Sequence, residues 1–332
     1  MVASVDADGY ENASLWEIKN GRPSSLRIIL SSVTLGDWYT TIDGTNWSKI
    51  DTTPSFSNTS GGVSGYADGK FYVINPNDKA IAYSEDLINW TKKIVSVPSG
   101  KYIGMNLFHV DSEYKYFVGQ YGILKAPRGT ENWSYTAFSQ NFTANYYLWD
   151  CTFFNGKFYM TANYNNLGKL YVGEKNGTLT EIDVPQAAAL GWGSGYRNFY
   201  GLYVENDTLY IVGRYVNSSN VRYGTIIKTT NGVDFVSVFK NTYSTYDFRT
   251  LIRYNGKYYI SSTGPSIFEG NSLTSLSFSK YSPPGTFRRA KIIDNVMYMY
   301  GDTPYMIHTN DGVNFSYEKF NDSDKSYLVS TH

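Results

Sequence analysis

Asp43-Gly44-Thr45-Asn46-Trp47-Ser48 is the first of three similar stretches, each with a tryptophan that follows Asn and precedes Ser or Thr. The tryptophans are Trp47, Trp90 and Trp133, and 43 residues separate each from the next. Self-similarity at a fixed period indicates repeated supersecondary units. A period of about 40–50 residues, rich in aromatic and β-branched residues and without a helical pattern, is typical of propeller blades.

Weaker copies of this stretch continue towards the C-terminus, at intervals of 46, 56, 41 and 39 residues. We therefore predict an all-β fold, a seven-bladed β-propeller of four-stranded antiparallel blades. The repeated apolar residue of each copy is expected to anchor one blade against the next. These anchors are Trp47, Trp90, Trp133, Leu179, Phe235, Leu276 and Phe315.

A second repeated signal predicts tight hairpins. Asp68-Gly69, Asn155-Gly156 and Asn255-Gly256 each stand between two runs of β-forming residues. Asn-Gly and Asp-Gly pairs are strong hairpin signals because the tight turn requires positive φ angles. Each unit is therefore predicted to run strand A, tight turn, strand B, variable loop, strand C, tight turn and strand D.

The first strand of the first unit has two candidates in the sequence. One is Leu15–Lys19, and the other is Tyr327–Ser330, which would complete the first unit from the far end of the chain. Pairing of this kind removes exposed edge strands. Residues 1–24 are accordingly predicted to be an N-terminal tail or first strand, and residues 25–332 a single propeller domain.

Bulk composition argues against several classes of protein. The 332 residues carry 29 basic and 29 acidic side chains, so the basic excess of a nucleic-acid-binding protein is absent. Cys151 is alone, and His109, His308 and His332 are far apart in sequence, so we expect neither a disulfide nor a metal site, and no cofactor. The first residues do not resemble a signal peptide, and no long apolar run predicts membrane insertion.

The turn between strands C and D resembles the Asp-box of sialidase-like β-propellers, roughly Ser-x-Asp-x-Gly-x-x-Trp. The best matches are residues 41–47, 84–90 and 309–315, although the aromatic residue follows Asp one position sooner than in that family. In the family the box is structural. The family's catalytic set of three arginines, a Tyr–Glu pair and an acidic Asp has no recognisable counterpart, since Arg22-Pro23-Ser24 lacks the Ile of the usual first motif. We therefore assign no catalytic residues.

Sialidase-like propellers that lack the catalytic set, with a composition rich in Tyr, Asn and Gly, resemble components of phage virions. The resemblance implies a non-enzymatic structural or binding propeller of a phage particle, decorating its head, tail or fibre. Its partners would be other virion proteins and host-surface glycans. It would be made in the host cytoplasm and located in the virion, or alternatively be extracellular. A purely architectural subunit is a further interpretation.

The alternative function is a glycoside hydrolase or lyase of the sialidase-like propeller type. Such chemistry requires a pair of carboxylates about 5–10 Å apart. Any ring of repeats brings some acidic residues together near its first strands, and we favour polar lining as their role. The candidates are Asp111, Asp150, Glu205 and Asp247.

The variable D–A and B–C loops are the expected place for a binding surface, because loops on a rigid scaffold usually carry function. The longest predicted loops are residues 185–197 and 214–223. Their mixture of aromatic, amide and guanidinium side chains suits ligand binding, although such aromatics also cover the ends of a core. The predicted ligand-binding residues are Trp149, Tyr164, Trp192, Tyr196, Arg197, Arg214, Tyr215, Arg222, Tyr243 and Tyr246.

Overall fold

A computed structural model of the chain describes residues 28–32, 38–41, 47–49, 54, 56, 64–75, 78–99, 107–139, 147–164, 167–243, 245–264, 266–279, 281, 283, 285–293, 295–301, 305–319 and 327–331. Every regular element among these residues is a β-strand. The predicted N-terminal tail, residues 1–24, and its candidate strand lie outside the described residues.

The chain divides into two units. The first consists of Met1–Phe138 together with Lys325–His332. Its strands up to Phe138 are β1 (Ile28–Ser32), β2 (Trp38–Thr41), β3 (Ser48–Lys49), β4 (Ser64–Ala67), β5 (Lys70–Asn75), β6 (Ala80–Ser84), β7 (Thr91–Ile94), β8 (Leu107–Val110), β9 (Tyr114–Gly119), β10 (Gly122–Pro127) and β11 (Ser134–Ala137).

The second unit is Ser139–Asp324. Its strands form four sheets of four antiparallel strands each, in chain order. They are β12 (Tyr147–Phe154), β13 (Lys157–Tyr164), β14 (Leu167–Gly173), β15 (Leu179–Ile182), β16 (Gly195–Glu205), β17 (Thr208–Asn217), β18 (Arg222–Thr229), β19 (Val236–Lys240), β20 (Phe248–Tyr254), β21 (Lys257–Ser262), β22 (Ile267–Gly270), β23 (Ser277–Phe278), β24 (Arg289–Ile293), β25 (Val296–Tyr300), β26 (Tyr305–Thr309) and β27 (Ser316–Lys319).

The strands confirm an all-β propeller with four-stranded antiparallel blades. Six blades consist of four consecutive strands each, from β4–β7 to β24–β27. The prediction of seven blades is corrected to six, because the described residues before β4 supply only three strands of their sheet, β1, β2 and β3. The fourth strand of that sheet is β28 (Tyr327–Thr331), which pairs antiparallel with β1. Of the two candidates for this strand, the structure therefore uses the C-terminal one.

The predicted hairpin turns are confirmed by their backbone angles. Asp68 and Gly69, between β4 and β5, have φ values of 53° and 77°. Asn155 and Gly156, between β12 and β13, have 47° and 74°. Two successive positive φ angles match the twist of the flanking strands, which explains the Asn-Gly and Asp-Gly pairs at these positions.

The turn between the third and fourth strands is built around one polar side chain. In the β4–β7 blade, Asp86 Oδ1 accepts hydrogen bonds from the backbone N of Asn89 at 2.7 Å and of Ile88 at 2.8 Å. The bonds from Asn89, then that from Ile88, hold the pKa of the Asp86 carboxyl well below its ordinary value. Asn231 and Asp311 accept the same pair of backbone bonds in two later blades. An amide and a carboxylate therefore serve equally in this turn.

Several of the repeated apolar residues pack between blades. Trp133 lies edge-on to Tyr72 of the preceding blade, with ring centroids 5.9 Å apart. Phe315 meets Tyr259 of its preceding blade in the same manner, at 6.0 Å. Trp90 packs against the core of its own blade. The remaining anchors are half-buried or buried, namely Trp47, Leu179, Phe235 and Leu276.

A buried lysine joins the two blades β4–β7 and β8–β11. Lys115 is 0% exposed, and its Nζ donates to Tyr72 Oη at 2.7 Å and to the carbonyl of Thr130 at 2.8 Å. The same Nζ lies 3.1 Å from Asp68 Oδ2 and 3.3 Å from Glu131 Oε1. Burial alone would raise the pKa of Asp68, but hydrogen bonds from Arg128, Gly129 and Lys115 outweigh it and lower that pKa.

The predicted loop at residues 214–223 is mostly strand. β17 continues to Asn217 and β18 begins at Arg222, so only four residues connect them. Tyr215 lies opposite Tyr223, and their rings stack with centroids 6.1 Å apart. Such aromatic cross-strand pairs stabilise a hairpin. At this hairpin the extra residues therefore lengthen the strands, whereas residues 183–194 form a loop between β15 and β16.

Candidate ligand-binding site

Three successive blades carry a β-bulge in their first strand. The pairing of β12, β16 and β20 with the next strand skips one residue each, namely Trp149, Tyr200 and Arg249. Each of the three lies five residues before the last residue of its strand, and Arg288 occupies the same position in the next blade. Bulges re-aim side chains and are common beside functional sites. The same position of four successive blades in the second unit is therefore occupied by Trp149, Tyr200, Arg249 and Arg288.

These four side chains meet one another. The rings of Trp149 and Tyr200 are edge-on, with centroids 5.0 Å apart. The Arg249 guanidinium lies 3.8 Å from the Tyr200 centroid and 5.3 Å from that of Trp149. Arg288 approaches the Trp149 ring from β24, at 4.7 Å. Cation–π contacts of this kind become stronger where water is excluded.

Two aspartates hold further arginines around this group. Asp247 Oδ2 accepts from Arg214 Nη1 at 3.1 Å and from Arg249 Nη2 at 3.3 Å. Asp150 pairs with Arg289 and also accepts from the backbone N of Leu202 at 2.9 Å. We call the whole group the arginine cluster; its members are Trp149, Asp150, Tyr200, Arg214, Asp247, Arg249, Arg288 and Arg289.

Burial shapes the electrostatics of the arginine cluster. Asp247 is 1% exposed, and its Oδ1 has no hydrogen-bond partner among the described residues. The same holds for Nε and Nη1 of Arg249 and for Nε1 of Trp149. Burial lowers the pKa of Arg249, while Tyr200 and Asp247 oppose that shift. Buried polar atoms without a partner are uncommon and mark a place where a polar ligand would be stabilised.

Among the described residues, the arginine cluster holds more basic than acidic side chains. Four guanidinium groups face two carboxylates, and Lys291 lies two residues after Arg289 on the same strand. Although the Lys291 side chain is reached by solvent, the surrounding protein and the charge of Arg289 lower its pKa to about 8. A region of excess positive charge with aromatic rings can bind an acidic group beside an apolar or ring-shaped part of a ligand.

The structure sorts the predicted ligand-binding residues into separate places. Trp149 and Arg214 belong to the arginine cluster. Trp192 and Tyr215 are buried in the core of the β12–β19 region, where the Trp192 indole donates to Ser237 Oγ at 2.8 Å. Arg197 is also buried and donates to Gln186 Oε1 at 2.9 Å. These last three are therefore packed inside the protein, and their role in ligand binding stays a prediction.

Two further predicted residues, Tyr243 and Tyr246, lie on a second surface together with Phe278, and a third, Arg222, lies nearby. Tyr243 is 50% exposed, and its ring lies 4.7 Å from that of Phe278, which is 36% exposed. Tyr246 meets Phe278 edge-on at 5.2 Å. We call Tyr243, Tyr246 and Phe278 the aromatic platform. Arg222 is exposed nearby, and its carbonyl accepts a hydrogen bond from the backbone N of Thr245.

The remaining candidates from the sequence are two tyrosines and two acidic residues. Tyr196 is half-buried in β16, and Tyr164 ends β13 with a side chain outside the described part of the structure. Asp111 caps a turn by accepting from the backbone N of Tyr114 at 2.7 Å. Glu205 binds Arg253 at 3.1 Å, near the opposite end of the first strand from the bulge.

Tyr200, Arg249, Arg288 and Arg289 were missed by sequence reasoning. The signal that finds them is positional, because aligning the repeats on the turn after the first strand places Trp149, Tyr200, Arg249 and Arg288 in one column. An aromatic or arginine side chain at the same position of four successive repeats points to a shared site.

Metal-binding clusters and membrane-spanning helices are both absent from the described residues. No group of three or more His, Cys, Asp or Glu side chains in this part of the chain is arranged to hold a metal ion. Within the same residues, no helix is long and apolar enough to cross a membrane. Cys151 is buried, and burial raises the pKa of its thiol.

Comparison with known proteins identifies the fold. No family model matches the sequence, and no curated protein matches it. A solved structure of a protein from Lactobacillus plantarum matches 92% of this chain and 99% of its own, with a TM-score of 0.61 and 10% identity. Virginiamycin B lyase from Staphylococcus aureus matches 93% and 96%, with a TM-score of 0.57 and 9% identity. YCF48 bound to D1 peptide matches 90% and 93%, with a TM-score of 0.59 and 8% identity. These are propeller proteins, and identities this low show the fold alone.

Proposed function

We propose that the protein is a non-enzymatic binding propeller that captures an acidic group of its ligand at the arginine cluster. The observation that carries this proposal is the gathering of four guanidinium groups around the rings of Trp149 and Tyr200. Arginine binds carboxylate, sulfate and phosphate groups through paired hydrogen bonds, and flat rings bind the apolar faces of sugars or other rings.

The state of the two aspartates favours binding over catalysis. Asp150 accepts from Arg289, from the backbone N of Leu202 and from the backbone N of Cys151. Asp247 accepts from two arginines. A glycosidase needs one carboxyl group aimed at the leaving oxygen, whereas both of these carboxylates are engaged by guanidinium groups of the protein. Both residues therefore serve better as counter-ions than as a general acid.

The ligand we propose is a host-surface glycan, and the setting is a phage particle in which the protein contacts other virion proteins; an extracellular location is the alternative. This rests on the resemblance of the turns to the Asp-box and on the absence of the family's catalytic set. Mass spectrometry of purified particles tests it. A stoichiometric amount of this chain in the particle supports the proposal, and its absence from the particle refutes it.

We also propose that the sheet β28–β1–β2–β3 acts as a seventh blade. It has four antiparallel strands in the same order as the other blades. A density map from electron microscopy of the purified protein tests this. Seven radial sheets are expected, and a ring that closes with six would refute the proposal.

Binding to an array of acidic and neutral glycans tests the function itself. We expect glycans with carboxylate, sulfate or phosphate groups to be retained in preference to neutral ones. Arg288→Gln should reduce that affinity about tenfold, because it removes a charge-assisted hydrogen bond. Arg288 is exposed, so the variant is expected to fold.

The matched control is Arg253→Gln. Arg253 is an exposed arginine near the far end of β20, where it pairs with Glu205. Its replacement should leave glycan affinity unchanged. Equal retention of neutral and acidic glycans, or equal loss in both variants, would refute an acid-binding role for the arginine cluster.

The affinity for an acidic glycan should also depend on pH. The pKa of Lys291 is about 8, so the ammonium is mostly present at pH 7 and mostly lost at pH 9. Removing one positive charge beside Arg289 should weaken anion binding as pH rises through that range. Titrations at pH 7 and pH 9 measure the change. In Lys291→Met the affinity should be the same at both values, and a pH dependence that persists in this variant would contradict the assignment.

A further inference from the structure

The arginine cluster and the aromatic platform are joined by one short segment of chain. Residues 241–247 lead from the end of β19 to the start of β20, and Tyr246 directly precedes Asp247. Tyr243 lies four residues before Asp247, so their Cα atoms are at most about 14 Å apart. The exposed ring of Tyr243 is therefore attached to the chain close to Asp247, whose carboxylate holds Arg214 and Arg249.

This segment is fixed at several points. The backbone N of Asn241 donates to the carbonyl of Gly224 at 3.0 Å, and its side chain accepts from the N of Gly224 at 3.0 Å. The backbone N of Thr245 donates to the carbonyl of Arg222 at 2.9 Å, and that of Thr263 donates to the carbonyl of Asp247 at 2.9 Å. The connection is therefore held by its neighbours at Asn241, Thr245 and Asp247.

One residue of the segment has a strained backbone. Thr245 has a φ of 86°, in the region that β-branched residues avoid. Strain of this kind persists only where the surroundings impose it, and it is concentrated at functional sites. Because Thr245 lies between Tyr243 and Tyr246 in the sequence, its backbone angle influences the relative placement of the two rings.

The aromatic platform is supported from beneath. Phe278 lies 4.4 Å from the fully buried ring of Phe268, and Tyr246 meets the same ring edge-on at 5.6 Å. Exposed rings on a rigid base lose little conformational entropy when a ligand stacks on them. The platform is therefore preorganised for a flat, partly apolar surface.

We infer that the ligand is an acidic oligosaccharide chain, with its charged unit in the arginine cluster and a neighbouring sugar ring stacked on Tyr243 and Phe278. This inference rests on the proposed function. Charge complementarity selects the acidic unit, and the separation of at most about 14 Å between the Cα atoms of Tyr243 and Asp247 allows a further unit of the same chain to meet the rings. A single acidic sugar would use only half of this surface.

Affinity as a function of chain length tests the inference. The probes are glucuronic acid with a hyaluronan hexasaccharide, and N-acetylneuraminic acid with 3′-sialyllactose, each titrated by calorimetry. In the pair that binds, the longer glycan should bind about tenfold more tightly than the single acid. Tyr243→Ala should remove that advantage and leave the affinity for the single acid unchanged, whereas Arg288→Gln should weaken both.

Tyr243→Phe is the control variant, because it keeps the ring and should keep the advantage of the longer glycan. Thermal unfolding checks that every variant is folded. Equal affinity for the long and short probes, or an equal loss of both in Tyr243→Ala, would overturn the inference and leave the proposed function standing. If none of the acidic probes binds, the proposed function itself is refuted. Binding of neutral maltohexaose that is insensitive to Arg288→Gln would also overturn the continuity of the two surfaces.

Discussion

Replacing Lys115 with methionine is expected to lower the free energy of unfolding by about 3–5 kcal/mol. The Nζ of Lys115 is fully buried and lies within 3.3 Å of Asp68, Glu131, Thr130 and Tyr72. Methionine fills nearly the same volume but removes the buried cation that Asp68 and Glu131 share, so that each carboxylate keeps a more exposed cation, Arg128 and Lys70 respectively. Removing one partner of a buried ion pair costs more than the pair contributes to stability, because the remaining charge is left desolvated.

Urea unfolding of the purified variants measures this effect. Lys157→Met is the matched control, since Lys157 pairs with Glu174 at 3.1 Å on the surface, and the change should cost at most about 1 kcal/mol. Combining Lys115→Met with Glu131→Gln should recover part of the loss, because the second change removes one of the charges that has lost its buried partner. A loss below about 1 kcal/mol for Lys115→Met alone would contradict a structural role for this network.

Gly201→Ala is expected to damage both the fold and the arginine cluster. Gly201 directly follows the bulge residue Tyr200, and an added Cβ would collide with the backbone carbonyl of Arg249 and approach Val212 Cγ2 to 2.9 Å. The blades β16–β19 and β20–β23 would have to separate at this point. We expect a loss of about 1–3 kcal/mol of stability and a fall of more than about tenfold in affinity for an acidic glycan.

Gly156→Ala is the control that separates a loss of stability from a loss of glycan affinity. Gly156 has a φ of 74° with open space around its Cα, so alanine there is strained but meets no other residue. It should cost about 1 kcal/mol of stability without changing glycan affinity. Unfolding curves and glycan titrations of both variants provide the comparison. Unchanged glycan affinity in a folded Gly201→Ala protein would show that the spacing of these two strands does not position the site.

The sequence predicted the blades well because their signals are local. The spacing of Trp47, Trp90 and Trp133 marks one turn per blade, and Asp68-Gly69 marks a hairpin whose backbone only a few residue types adopt. The predicted number of seven blades was wrong, and six are found. Pairing between distant segments, such as β28 with β1, leaves only a weak local signal, so the sequence offered two candidates for that strand.

The candidate site was less accessible from the sequence. Loops were expected to carry it, yet its side chains come mainly from bulges in three first strands. A bulge depends on the register between strands, which residue propensities do not encode. Trp192, Tyr215 and Trp149 were predicted for the same reason, namely an aromatic side chain near a variable loop. Only the packing shows that the first two lie in the core and that Trp149 meets a guanidinium group.

The pairing of β28 with β1 gives the chain an order of assembly. During synthesis, β1 is made early and has no partner on one side until Tyr327–Thr331 has left the ribosome. A nascent chain therefore presents an open strand edge throughout the time in which the six continuous blades form. Open edges pair readily with other chains. The first sheet is thus the part of the fold most exposed to misassembly at high expression, and slower synthesis at lower temperature should favour the correct pairing.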